Sequence, residues 1–325
     1  MIPNSMIYAL LVLWVFGAIC VVRERRNMRT MVYLFIYSLI TSLVYLVLGS
    51  PDTAMAEAAI GTFTVIFFIV CFEKYEALKV DRVDYSQPEK PPANKQPRGV
   101  WVKRVIAPLA FTVVLGVLFF YFSPTGEASD HLKSQYLARF AQDVGGENAV
   151  TAIYLGYRVY DTLFEALVLV ITVLAVAHTS YSSSLQSTKQ KRHLKPSVVE
   201  IMVIRAIGVV ILLFGVYLIA NGHITAGGGF QGGLFIAAFF VCRFLIHNIH
   251  DLPVHKLFRL EEFIFASTIL LAVFVVFIGV SHHLPVEYLP AFQGFYMVLM
   301  NAMIGMKVAC GFTILFYRYV TIERR

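Results

Sequence analysis

Charged side chains are scarce in the apolar stretches of this 325-residue chain, and those present are of types that bind protons or small cations. An Asp, Lys or Arg at the centre of a membrane helix costs roughly 2.5–3.5 kcal/mol on insertion scales and is retained mainly where it functions. Glu57 lies among Ala54, Ala56, Ala58, Ala59 and Gly61, small residues that let helices approach closely. A carboxylate there is a proton or cation site in preference to a static strut. Asp52, directly after Pro51, is placed either to cap the same helix or to serve an ion. Arg158, Asp161 and Glu165 follow at spacings of three and four, so they share one helix face. Two carboxylates and one guanidinium leave net negative charge, suited to a proton or a transient Na⁺. An internal salt bridge near the outer interface accounts for the same residues equally well. His178, at the other end of that run, is first an interfacial residue, with a ring suited to proton transfer. Lys307 sits mid-way along the last apolar run, too deep to snorkel, and should pair with a carboxylate or face a hydrated cavity. Glu200 and Arg205 open another run, and Glu200 is close enough to its end to reach water.

These residues are held by apolar blocks of about 20, the length that crosses a hydrocarbon core of about 30 Å. Hydrophobic residues make up 58% of the chain and charged residues 14%, against about 25% charged in soluble domains. The expected fold is an all-α integral membrane protein of about nine transmembrane helices. The runs are 3–22, 31–48, 53–72, 101–122, 160–178, 198–219, 230–245, 263–280 and 295–317. Met1 to Val22 carries no charge and Arg23, Arg25, Arg26 and Arg29 follow it, the reverse of a cleaved signal peptide. By the positive-inside rule the N-terminus is outside and the C-terminus inside. On that threading 22 of the 27 Lys and Arg residues fall in or beside inside segments, and only Lys133 and Arg139 fall in outside loops. The net charge of +7 is therefore a topology signal with some affinity for anionic lipid, and nucleic-acid binding is not expected.

Two polar stretches divide the chain. Residues 79–99 hold four prolines, and 180–197 are Ser/Thr-rich and then basic. They mark units at 1–78, 100–179 and 198–325, with three, two and four spans, like small subunits fused end to end. Gly227, Gly228, Gly229, Phe230, Gly232 and Gly233 form a turn between the sixth and seventh spans. No Gly-Lys-Ser/Thr follows, so it is not a phosphate loop. Its expected role is structural: unusual backbone angles first, then close packing of the next helix, with Phe230 as a wedge. Cys20, Cys71, Cys242 and Cys310 are single and sit in apolar segments. Neither a disulfide nor a structural metal is expected, and no cofactor or catalytic centre of the chain's own.

With these residues in view, the last unit, through GHITAGGGFQGG and the GMKVACG around Lys307, resembles the MrpB (MnhB) subunit of multisubunit Na⁺/H⁺ antiporters. The first unit, with PDTAMAEAAIG, resembles the MrpA C-terminal region equivalent to MbhD of membrane-bound hydrogenases. The second, with NAVTAIYLGYRVYDTLFEALVL, is similar to the adjoining MbhE-type segment. The resemblance implies a subunit of an Mrp-type module related to respiratory complex I, in a prokaryotic cytoplasmic (inner) membrane. The implied partners are other Mrp/Mbh-type membrane subunits, with a peripheral redox module in some assemblies. It places the family's membrane carboxylates on Glu57, Asp161 and Glu165 and its basic residue on Lys307. Ala226 stands where the Gly-rich motif usually has proline, and Val159 and Phe164 replace common glycines. The competing reading is a self-sufficient secondary transporter, which calls for inverted repeats; the three, two and four partition supplies none.

Overall fold

In a computed structural model, the described residues are 4–83, 113, 126–182, 198–247, 254–277 and 288–321. Most of them are helical, with no strand among them. The helices are α1 (Asn4–Arg23), α2 (Asn27–Val47), α3 (Pro51–Val83), α4 (Gly126–Asp143), α5 (Ala149–Ala152), α6 (Val159–Ser182), α7 (Val198–Asn221), α8 (Gly229–His247), α9 (Val254–Ala272) and α10 (Leu289–Thr321). Single π turns lead into α6 at Ile153–Tyr157 and follow α9 at Val273–Phe277. Among the described residues, six helices contain stretches long and apolar enough to cross a membrane, in α1, α2, α3, α6, α7 and α10. The chain is a multi-pass membrane protein. Its expected seventh span is a shorter apolar helix, Gly229–Arg243, and the expected span at 101–122 lies outside the described residues except for Val113.

Three boundaries differ from those read from hydropathy. Helix α3 continues to Val83, five residues into the expected linker at 79–99, because Glu73, Lys74, Glu76, Ala77, Leu78 and Lys79 are strong helix formers and no proline intervenes. Helix α6 similarly runs to Ser182. Most consequential, α9 begins at Val254, nine residues before the expected start at Phe263. Charges at Lys256, Arg259, Glu261 and Glu262 lower the mean hydropathy there. The apolar face nevertheless runs through Leu257, Phe258, Ile264, Phe265, Thr268 and Ala272 at helical spacing, and it is this face that packs inward.

Residues 1–76 and 140–325 form one compact unit, and residues 77–139 a second. In the larger unit α10 is the central post: 56% of its apolar window is buried, against at most 22% for the other five. Helix α8 packs between α7 and α10, while α9 and α6 lie on other faces of α10. Helix α3 meets α10 through a ladder at i, i+4 on both sides, with Phe63 edge-on to Phe312 at 5.0 Å and Phe67 to Phe316 at 6.3 Å. Helix α1 rests on α2 through Trp14, whose Nε1 donates to Thr41 Oγ1 at 2.9 Å and whose ring stacks on Tyr37. In the turn between them, the backbone N–H groups of Arg26 and Arg25 donate to Glu24 and hold its carboxyl below the usual range.

Candidate functional site

Lys307 and Glu261 form a buried ion pair on facing turns of α10 and α9. Nζ lies 3.2 Å from Oε1, and the side chains are 1% and 2% exposed. The Phe265 ring completes the enclosure, with its centroid 5.3 Å from Nζ. Neither Nζ nor Oε1 has a hydrogen-bond partner among the described residues, so the contact is ionic and each charge depends on the other. Lys307 can occupy this position because α10 uses its opposite side for close packing. Gly305, two residues and roughly 200° away, lies against Gly229 and Ile219. The sequence leaves Lys307 either a carboxylate partner or a hydrated cavity, and its hydropathy puts Glu261 between two spans; the structure supplies the carboxylate. The signal that locates it is the position of Glu261 four residues after Leu257 and three before Ile264, inside the apolar stripe.

Glu57 faces α2. Ser38 Oγ donates to Glu57 Oε1 at 2.8 Å and lies 3.3 Å from its backbone oxygen, while Ser42 donates to Ala54 O at 2.7 Å. This approach requires Gly61, because a Cβ there would overlap Ser38 Oγ. The carboxyl is thus half-buried between two helices with one neutral donor and, among the described residues, no cation.

The α6 cluster has a different setting. A π turn carries an extra residue and frees backbone carbonyls; Thr162 Oγ1 donates to Tyr154 O at 2.6 Å and Tyr296 OH to Leu155 O at 2.9 Å. Arg158 closes the turn, its N–H donating to Ile153 O. Its guanidinium pairs with Asp161, both side chains being over half exposed at 63% and 51%. Glu165, one turn further on, is exposed and has no ion pair among the described residues. His178 is exposed at the far end of the same apolar stretch. The three charges therefore divide into a neutral pair and one lone carboxylate.

Asp52 joins distant parts of the chain. Its Oδ1 accepts from Asn148 Nδ2 at 3.0 Å and from the Gly227 N–H at 3.2 Å. Asn148 also caps α5, its Oδ1 accepting from the Val150 N–H at 2.9 Å, and its Nδ2 reaches Thr225 O at 3.0 Å. The backbone N–H groups of Glu147 and Asn148 both donate to His223 O. Segments from each of the three units expected from sequence thus meet at the Gly-rich turn. Gly227 and Gly228 have φ of +151° and +146°, a region that favours glycine. Gly229 is helical, and its N–H donates to Asn301 Oδ1 at 3.0 Å, as does Tyr154 OH. Phe230 lies edge-on to Phe312. Gly232 lies against Gly215 of α7, and Gly233 against Gly305 of α10. Gly233→Ala would press a methyl into the Gly305 carbonyl and Val308 and should cost about 1–3 kcal/mol. Gly294→Ala, on the same α10 with nothing near the added carbon, should be neutral or slightly stabilising. Thermal melts of the two variants provide the comparison.

No hydrogen bond or ion pair joins Glu57, the α6 cluster and Lys307 to one another among the described residues. No group of three metal-binding side chains gathers there either. The arrangement is three separate intramembrane ionisable sites around one central helix, together with a polar knot at the Gly-rich turn.

Residues 199–314 match the family model of a domain related to the MnhB subunit of Na⁺/H⁺ antiporter, and residues 12–77 match the MbhD model, that of a component of MBH. A putative antiporter subunit mnhA2 from Staphylococcus aureus (strain JH9) is 29% identical over 152 residues, 46% of this chain, and its counterpart from strain USA300 gives the same figures. The chain covers only 17% of the length of these relatives. A chain of the Mrp complex from Dietzia sp. DQ12-45-1b aligns over 94% of this chain and 34% of its own length, with TM-score 0.62 and 20% identity, a likeness of fold. A chain of the membrane-bound sulfane sulfur reductase, an archaeal respiratory membrane complex, aligns over 66% of this chain and 96% of its own length, with TM-score 0.51 and 29% identity.

Proposed function

Since the chain joins an MbhD domain to an MnhB-related domain of the Mrp-type antiporter module, we propose that it is a membrane subunit of a multisubunit cation/proton antiporter. Such a module works alone or attached to a redox complex. In it, Glu57, Asp161 and Glu165 handle Na⁺ or H⁺, and Lys307 couples to its neighbours. Asp52, Arg158 and His178 support those sites.

The observation that carries this reading is the exposed face of α6. Glu165 is the seventh residue of that helix, about 9 Å from its start, and it shares the exposed surface with Phe164, Val168 and Ile171. An uncompensated carboxylate facing lipid tails at that depth is costly. A protein surface that supplies a donor, a cation or a water path removes the cost. A subunit with neighbours on this face meets the requirement; in a solitary transporter Glu165 has no ion-pair partner among the described residues.

Purification of the tagged chain from its native membrane tests the proposal. The expected result is a complex containing further hydrophobic subunits, with Na⁺-dependent proton movement only in the whole assembly. Recovery as a lone species that exchanges Na⁺ for H⁺ in liposomes would overturn it.

A further inference from the structure

A second kind of site lies at the end of the α7–α8 hairpin remote from the Gly-rich turn. A cavity of about 190 Å³ opens there between the two helices, lined by Arg205, Gly208, Val209, Phe239, Cys242 and Arg243. Gly208 is what leaves room: a Cβ there would only touch the Phe239 ring, so the missing side chain makes the floor of the groove. Val209 and the neighbouring Val203, Ile207 and Val210 are exposed, so the cavity opens sideways on the apolar flank and not into a water-filled cleft. Both guanidiniums are exposed, and neither makes an ion pair among the described residues. Two unpaired arginines over an apolar groove call for an anion that is itself attached to something apolar.

Position supports the same chemistry. Arg205 is the eighth residue of α7 and Arg243 lies in the last turns of α8, so the antiparallel hairpin brings both to one level near the membrane surface. The distribution of Lys and Arg puts that surface inside. Basic pockets between membrane helices on that side are suited to anionic lipid head groups, with planar guanidiniums forking onto phosphate oxygens.

We propose that Arg205 and Arg243 clamp the phosphate of an anionic phospholipid whose acyl chain lies in the groove over Gly208 and Phe239. The site is separate from Glu57, the α6 cluster and Lys307, and it does not depend on the transported ion. A lipid held there would brace α7 against α8 beside the helix that packs on α10.

The test uses the whole complex, purified in detergent, stripped of lipid, and titrated with phosphatidylglycerol, phosphatidylcholine or inorganic phosphate while native mass spectrometry reads retained lipid. Wild type should retain phosphatidylglycerol in preference to phosphatidylcholine. R205Q/R243Q should bind phosphatidylglycerol roughly tenfold or more weakly. Gly208→Leu, which keeps both arginines and fills the groove, should lose retention as well. Equal retention by wild type and either variant would overturn the proposal, as would equal retention of phosphatidylcholine. Displacement of the lipid by millimolar inorganic phosphate would make this a free-anion site and also overturn the lipid assignment. Because retention is compared in assembled complex, its outcome is independent of whether that complex exchanges Na⁺ for H⁺.

Discussion

Glu261→Gln and Lys307→Met, made singly, should each sharply lower the yield of folded protein, whereas the double variant Glu261→Leu/Lys307→Met should recover it. The pair is 1–2% exposed and each charge faces the other. Bringing two charges out of water is offset only by their mutual attraction, so removing one strands its partner at a cost of about 3–5 kcal/mol. Replacing both by apolar groups of similar volume abolishes attraction and desolvation together and is often neutral or stabilising. Detergent-solubilised size-exclusion profiles report the folded fraction. A single variant with a wild-type profile would show that the two charges do not depend on each other. Flux then separates structure from transport. The double variant should assemble yet exchange no Na⁺ for H⁺ if Lys307 couples to ion movement, and recovered flux would make the pair a stabilising contact alone.

That pair also shows where sequence reading stops. The apolar blocks were legible because a helix crossing hydrocarbon must satisfy its backbone internally and cover about 30 Å. Helices α1, α2, α3, α6, α7 and α10 accordingly follow the hydropathy closely in their apolar parts. The first nine residues of α9 escaped because a sliding average weighs Lys256, Arg259, Glu261 and Glu262 without regard to face. Three of the four are exposed, and only Glu261 points inward. The periodicity held the information and the average discarded it. The extension of α3 past its apolar part has a related cause, since helix propensity carries on where hydropathy stops.

The site residues were legible as a list and only partly as contacts. The spacing of Arg158, Asp161 and Glu165 fixed a shared face but not how one cation is divided between two carboxylates. In the structure Arg158, at the end of the π turn at Ile153–Tyr157, pairs with Asp161 and leaves Glu165 without an ion pair among the described residues. No local pattern revealed that Asp52 would reach Asn148 and the Gly227 N–H, partners 96 and 175 residues away. Asp52 lies in the first turn of α3 and not at its cap, and its carboxyl instead ties the start of α3 to Asn148 and the Gly-rich turn. Ser38 was likewise an unremarked hydroxyl in an apolar helix until α2 and α3 were side by side.

Glu57→Gln and Glu165→Gln should abolish Na⁺-dependent proton movement in the assembled complex while leaving assembly intact. Glutamine keeps the volume of Glu57 and an oxygen to accept from Ser38, so the α2–α3 contact at 2.8 Å survives and only the titratable charge is lost. Ser38→Ala gives the converse change: the donor goes, the carboxyl stays, and the cost is about 1 kcal/mol of stability with flux retained. Glu165 makes no ion pair within the described residues, so its neutralisation removes a charge without stranding a partner among them. Fluorescence of a pH-sensitive dye in inverted vesicles, read after a Na⁺ pulse, follows the flux, and recovery of the co-purified subunits follows assembly. Wild-type flux in both Gln variants would reduce the two carboxylates to packing elements. Loss of assembly in Glu165→Gln alone would make its charge part of the seam with a neighbouring subunit. The two carboxylates thus make different demands: Glu57 is served by a hydroxyl of α2, whereas Glu165 has no ion pair among the described residues.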